Sequence, residues 1–330
     1  MNVIIDTDPG IDDAQAIVFA LWCGRFDIVA ITTVFGNCPV AMGTRNALHL
    51  LQLTGRLAIP VYSGAAGPIV RRRLPEEGAP RVHGKTGTGA IILEDAPPGV
   101  SAAGSYAASE LVRRVMATPR EMTLLALGPL TNVALAMRLE PRFIENVARI
   151  IWMGGIVRGH GNVGPFTTAN VLNDVEAAAI VFAESNGKLS MVGQDVTRLV
   201  RVPDEQFNRM GGYGEVGRYL QMLAAFYRDA YHKWVEPGLA GFPVHDLLVM
   251  MYALRPELFK TEMLPVRIET SGELTVGMTV ADFRAEPSYP RDVCVCTGVN
   301  GAETLEWYEA VLRENYSASP ANRAVRSRDV

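Results

Sequence analysis

A chain of 330 residues with 48% hydrophobic content can bury a large core, as one α/β domain or as two smaller ones. A net charge of −4, with Arg71–Arg73 as the one dense basic run, argues against a nucleic-acid partner, which needs clustered Lys and Arg. No apolar stretch reaches the roughly 18 residues of a membrane span, and the four cysteines suggest no disulfide framework, so the expected compartment is a reducing cytoplasm with no membrane partner.

The chain opens directly into an apolar, β-branched run, Val3 to Ile5, typical of a buried parallel strand, with no secretory signal ahead of it. Asp6 and Asp8 follow at its end, Pro9-Gly10 turns the chain, and Asp12 and Asp13 stand where a helix begins. AQAIVFALWC reads as that helix and FDIVAITTVFGN as a second strand, which brings Asn37 to the same sheet edge; a helix from about Pro39 to Leu53 and a short strand, IPVYSGA, come next. Residues 64–90 are rich in Gly, Pro and Arg without periodicity and read as a flap carrying Val82-His83-Gly84. After a helix over Ala102 to Met116, MTLLALGPLTNVALAM gives strand, turn and helix, and ARIIWMGG is a strand leading into a polar loop that reaches Asn170. An Ala-rich helix after Asp174 and Glu176, the strand of KLSMVGQDVT, a largely helical stretch over 204–236 and a helix opening at His245-Asp246 continue the alternation. The part from Leu264 is β-rich, as an edge or side hairpin, then helical over Ala302 to Arg313. The expected architecture is a single α/β domain over residues 1–316, with a mostly parallel, Rossmann-like sheet flanked by helices, the site at the C-terminal ends of the strands, and a loose tail over 317–330.

Four carboxylates within eight residues repel one another unless a cation lies among them or backbone donors hold them. Pooling the polar residues at strand ends gives Asp6, Asp8, Asp12, Asp13, Asn37, Asn162, Asn170, His245 and Asp246. Hard oxygen ligands suit Ca²⁺ or Mg²⁺ far better than Zn²⁺, and amides suit hydroxyl-rich ligands such as sugars. GKTGTGA over 84–90 lacks the strand–loop–helix order of a phosphate-binding loop, Cys294 and Cys296 read as core residues of a strand, and His49, His160 and His232 read as non-catalytic.

DTDPGIDDA, followed in order by VFGN, VHG, ALGPLTN, MGG, GNV, Asn170 and VHD, resembles the nucleoside hydrolase family, the inosine-uridine preferring nucleoside N-ribohydrolases, from residue 2 to about residue 256. The resemblance implies Ca²⁺-dependent hydrolysis of the N-glycosidic bond of purine or pyrimidine ribonucleosides to free base and ribose, by a homodimer or homotetramer. By position, Asp8 would ligate Ca²⁺ and take a proton from the attacking water, with Asp13, the Leu127 carbonyl and Asp246 as the other ligands. Asp12 and Asn37 would hold the ribose hydroxyls, and Met153, Asn162 and Asn170 would line the sugar. His245 matches the acid towards the leaving base, with His83, Tyr227 and Tyr231 around the base pocket, while Asp6 is left a supporting role.

Some positions depart from the family pattern. Thr168 stands where a Glu holds the ribose 5′-hydroxyl, Ala169 where an aromatic is usual, and Thr86 where an Asp follows VHG. A neutral hydroxyl forgoes charge-assisted strength, and the change admits deoxy or 5′-modified sugars. Two other readings compete. One is a haloacid-dehalogenase-like phosphatase built on Asp6-Thr7-Asp8, which lacks a fitting downstream Lys and leaves Asp12 and Asp13 unexplained; the other is a non-hydrolysing nucleoside or ribose binder, against which the intact Asp8, Asp12, Asp13 and Asp246 speak.

Overall fold

The N-terminal strand is buried on both faces, which is why it shows no apolar–polar alternation: Val3 and Ile5 enter one core layer and Ile4 the other. The computed structural model describes residues 1–72, 79–93 and 101–318. Its strands are β1 (Asn2–Thr7), β2 (Asp27–Thr33), β3 (Val61–Ser63), β4 (Thr123–Ala126), β5 (Arg149–Met153), β6 (Leu189–Val192), β7 (Arg201–Val202), β8 (Phe242–Pro243), β9 (Phe259–Leu264), β10 (Val266–Ile268), β11 (Thr279–Ala281) and β12 (Val293–Val299). Eight of them form one sheet in the order β3-β2-β1-β4-β5-β6-β12-β9, parallel throughout except for the antiparallel edge strand β9. The pairs β7–β8 and β10–β11 are small antiparallel ribbons outside it.

One core layer packs the helices Ile11–Trp22, Val40–Leu53, Gly214–Ala230, Leu247–Leu254 and Gly301–Ala318 on one face; the other layer holds Ala107–Ala117, Thr131–Leu139 and Val175–Glu184. The helix Leu247–Leu254 is apolar all round because it lies inside the first layer, with Leu247 through Ala253 buried. The chain leaves β1 for β2 and β3 on one side, and then crosses to β4 on the other. β1 and β4 therefore flank the topological switch point, where open α/β sheets bind ligands beyond the carboxyl ends of their strands.

This is the single α/β domain expected from the alternation of strands and helices, with β10–β11 as the side hairpin and β9 as the edge. Within the stretch read as a flap, Ala79–His83 forms a short helix, while residues 73–78, including Arg73, lie outside the described residues. The last helix runs on to Ala318, and residues 319–330 of the expected tail likewise lie outside the described residues. All four cysteines are free. Among the described residues no helix is long and apolar enough to cross a membrane.

Candidate active site

β1 delivers Asp6, Thr7 and Asp8 to the switch point, and each side chain finds a different environment. Asp6 turns into the sheet, where Thr32 Oγ1 (2.6 Å) and Asn132 Nδ2 (2.8 Å) both donate to its Oδ1, and burial pushes its pKa up to about 6. The Asn132 amide also bonds the Thr33 carbonyl and the Ala65 N–H, so Asp6 is tied into the floor of the site through side-chain donors. Asp8 is fully buried, and the Asn37 N–H donates to its Oδ2 at 2.8 Å. Gly36 and Gly128 press on it from the ends of β2 and β4, so closely that a Cβ on Gly36 would collide with Asp8 Oδ2 and one on Gly128 would lie 2.6 Å from Oδ1. The glycines of VFGN and ALGPLTN thus make the space in which Asp8 sits.

The turn at Pro9-Gly10 starts the helix Ile11–Trp22, whose first turn carries Asp12 and Asp13. Asp13 accepts hydrogen bonds from Thr7 Oγ1, from the Gly10 N–H (2.9 Å) and from Asn37 Nδ2 (3.0 Å). Asp12 accepts from Tyr227 Oη at 3.3 Å. Asp246, just ahead of the helix Leu247–Leu254, comes from the far end of the chain so that oxygens of Asp12, Asp13 and Asp246 lie within 4.8 Å of one another.

Burial raises the proton affinity of all these acids, and their mutual charge raises it further for three. Asp8 lies well above the usual carboxylate range through burial and then the Asp13 charge. Asp13 is raised by burial and then by Asp12, and Asp246 well raised by burial and then by Asp12, Asp13 and Asp8. For Asp12, pushed up to about 6, burial dominates. Among the described residues no Lys or Arg pairs with them; the nearest ring nitrogen is His83 Nδ1, 3.8 Å from Asp12 and itself lowered to about 4 by burial. Asp8 Oδ1 and Asp12 Oδ1 are buried with no hydrogen-bond partner. Uncompensated buried carboxylates cost several kcal/mol each, so the donor set fits a hard cation, for which it supplies oxygens only.

Above this floor opens a cavity of about 960 Å³. Every residue expected to bind substrate lines it: Asp12, Asn37, His83, Met153, Asn162, Thr168, Asn170, Tyr227 and Tyr231, together with Leu127, His245 and Asp246. Asp8 and Asp13 lie beneath it. Asn170 Nδ2 donates to the carbonyls of Leu127 (2.6 Å) and Met153 (2.9 Å), fixing the wall between β4 and β5. Thr168 Oγ1 accepts from the Gly155 N–H at 2.9 Å, and Asn162 Oδ1 from the Ala169 N–H at 3.1 Å. His83 Nδ1 accepts from the Ile11 N–H at 3.2 Å, which ties the short helix Ala79–His83 to the acidic turn.

The opposite wall is a hydrogen-bonded chain. Tyr227 Oη lies 3.3 Å from Tyr231 Oη, which is 2.7 Å from His245 Nε2, and His245 Nδ1 is 2.7 Å from Thr197 Oγ1. Tyr227 lies in the last turn of the helix Gly214–Ala230, and Tyr231 opens the π-helical turn Tyr231–Val235 that follows it. Burial, then the Arg198 charge, lower His245 to about 3, leaving a neutral imidazole at pH 7. Thr197 and the cavity-lining Gln194 escaped the sequence reading, although Gln194 stands at the end of a strand as Asn37 does, and the same rule would have found it.

Comparison with known proteins agrees with this geometry. Residues 3–306 match the family model described as inosine-uridine preferring nucleoside hydrolase. The chain is 38% identical to uridine nucleosidase 1 of Arabidopsis thaliana, over 85% of this chain and 82% of that protein. It is 36% identical to the non-specific ribonucleoside hydrolase RihC of Salmonella paratyphi C, over 94% and 97%. The solved purine-preferring ribonucleoside hydrolase of Gardnerella vaginalis superposes with a TM-score of 0.90 at 27% identity, covering 97% of this chain and 100% of that one. With an acid-floored cavity at the sheet's switch point and a match over nearly its whole length, the chain belongs to the inosine-uridine preferring nucleoside hydrolase family, and it is a hydrolase acting on N-glycosyl compounds.

Proposed function

We propose that this protein hydrolyses ribonucleosides to free base and ribose with Ca²⁺ held by Asp8, Asp13, Asp246 and the Leu127 carbonyl. The observation that carries the reading is the set of buried carboxylates with unpartnered oxygens under a cavity walled by amides on one side and by Tyr227, Tyr231 and His245 on the other. When bound, Ca²⁺ supplies positive charge that offsets the repulsion among the carboxylates and makes a nearby water more acidic. Asp8, with Oδ2 fixed by Asn37 and Oδ1 unpartnered, takes a proton from the attacking water. Asp12 and Asn37 hold the ribose hydroxyls, and Met153, Asn162, Thr168 and Asn170 line the rest of the sugar. Positive charge developing on the sugar is stabilised by the acids beneath it.

Tyr227 and Tyr231 face the base, with His83 across from them, and His245 hands a proton to the departing base. Because His245 is neutral at rest, it takes up a proton from water before it hands one to the base, and the Tyr231 and Thr197 hydroxyls on its two ring nitrogens hold the ring for that transfer. A homodimer or homotetramer in the cytoplasm, acting in purine and pyrimidine salvage, completes the proposal. Release of reducing sugar from uridine and inosine tests it: chelation with EDTA abolishes release and Ca²⁺ restores it. Turnover that persists in EDTA contradicts the metal assignment, and no turnover of any nucleoside contradicts the function.

A further inference from the structure

Relatives on this scaffold carry names that differ in the base they act on, namely uridine, non-specific and purine-preferring. The acids and amides that hold a sugar do not read a base edge. In this chain one wall of the expected base position carries the aromatic faces of Tyr227 and Tyr231 and of His245, whose two ring nitrogens are already engaged, with His83 facing Tyr227. Gln194 is a further polar group beside His245. Its backbone N–H donates to the Gly155 carbonyl at 2.9 Å, which fixes it against the turn after β5. Thr197, three residues on in the helix Gln194–Thr197 and so on the same face, lies 2.7 Å from His245 Nδ1. Gln194 lines the main cavity and also an adjoining one of about 140 Å³ that shares Asn162, Tyr231 and His245 with it. The residue is 2% exposed, yet its Oε1 has no hydrogen-bond partner among the described residues. Buried amides are normally satisfied, and a half-turn of this terminal amide brings its oxygen towards the cavity that the residue lines, where it can accept from a donor outside the chain.

We infer that Gln194 is a specificity-determining residue whose amide oxygen accepts a hydrogen bond from an N–H on the edge of the nucleobase, an inference that rests on the nucleoside hydrolase reading. The ligand class is a nucleoside whose base carries a lactam N–H or an exocyclic amine on that edge; bases stripped of such a donor leave the amide unpaired and are disfavoured. No step of the cleavage itself passes through Gln194.

The test compares kcat/KM for two substrate pairs, uridine against pyrimidin-2-one riboside and inosine against purine riboside, in the wild-type chain and in Gln194→Met and Gln194→Leu. The second member of each pair lacks the edge N–H, and differences in leaving-group reactivity cancel when ratios are compared between proteins. The expected result is that at least one pair is discriminated about tenfold or more strongly by the wild-type chain than by either variant, the size of one hydrogen bond to a buried group. Two variants guard against a folding defect in one of them. Equal ratios in all three proteins, with the nucleosides still hydrolysed by the wild type, overturn the role of Gln194 and leave the function standing. A wild-type chain that hydrolyses no nucleoside overturns both.

Discussion

His245 shows how far a single residue is specified by its neighbours. Both ring nitrogens are bonded, one to Thr197 and one to Tyr231, and burial keeps the ring neutral. If its function is to supply a proton to the leaving base, His245→Ala should lower kcat for uridine or inosine by about 10²-fold or more. Hydrolysis of 4-nitrophenyl riboside, whose leaving group needs no proton, should fall much less; equal losses on both substrates would remove His245 as the acid. At this scale the acids were the most legible part of the sequence, because clustered carboxylates have few structural uses. Asp6 could also be set apart from Asp8 and Asp13, and it makes separate bonds to Thr32 and Asn132. Gln194 lay within reach of the strand-end rule that picked out Asn37 but was passed over, and Thr197 was not legible. An amide and a hydroxyl are common at strand ends, and only burial and the orphaned Oε1 distinguish Gln194.

At the scale of elements, the site depends on how tightly loops approach one another at the sheet edge. The β2 loop reaches Asp8 through Gly36, with no room for a Cβ between them. Gly36→Ala is therefore expected to push Asp8 away from the Asn37 N–H and lower kcat by about 10²-fold, the usual cost of displacing a reacting group by about 1 Å. The circular dichroism spectrum should stay native, since the substitution lies outside the core layers. Wild-type turnover by Gly36→Ala would show that Asp8 is not held in this way. The glycine was visible in VFGN, but what it approaches was not, because the contact joins residues of different loops. The helix Ala79–His83 was illegible for a related reason. Five residues carry no helical period, and the helix is held in place by the bond from the Ile11 N–H to His83.

The whole molecule explains why residues as distant in sequence as Asp13 and Asp246 meet: parallel strands bring every β-to-α turn to one edge, and β1 and β4 open the crevice there. Alternating strands and helices made that much legible. The insertion of β12 between β6 and the antiparallel β9 was not, since strand order depends on long-range pairing. A fold that gathers unpaired buried acids in one place should be stabilised by the ion they fit. Ca²⁺ at a hundred times its dissociation constant is expected to add about 2.7 kcal/mol of stability and raise the melting temperature in a thermal scan. A melting curve indifferent to Ca²⁺ and to EDTA would argue against the site.

The most direct measurement is the kcat of Asp8→Asn on inosine, alongside its melting curve with Ca²⁺. The side chain keeps its size in the narrow space between Gly36 and Gly128, but it can no longer accept a proton from water. The expected outcome is a loss of about 10³-fold or more in kcat with the native fold retained. Turnover by Asp8→Asn close to that of the wild type would contradict the assignment of Asp8 as the base.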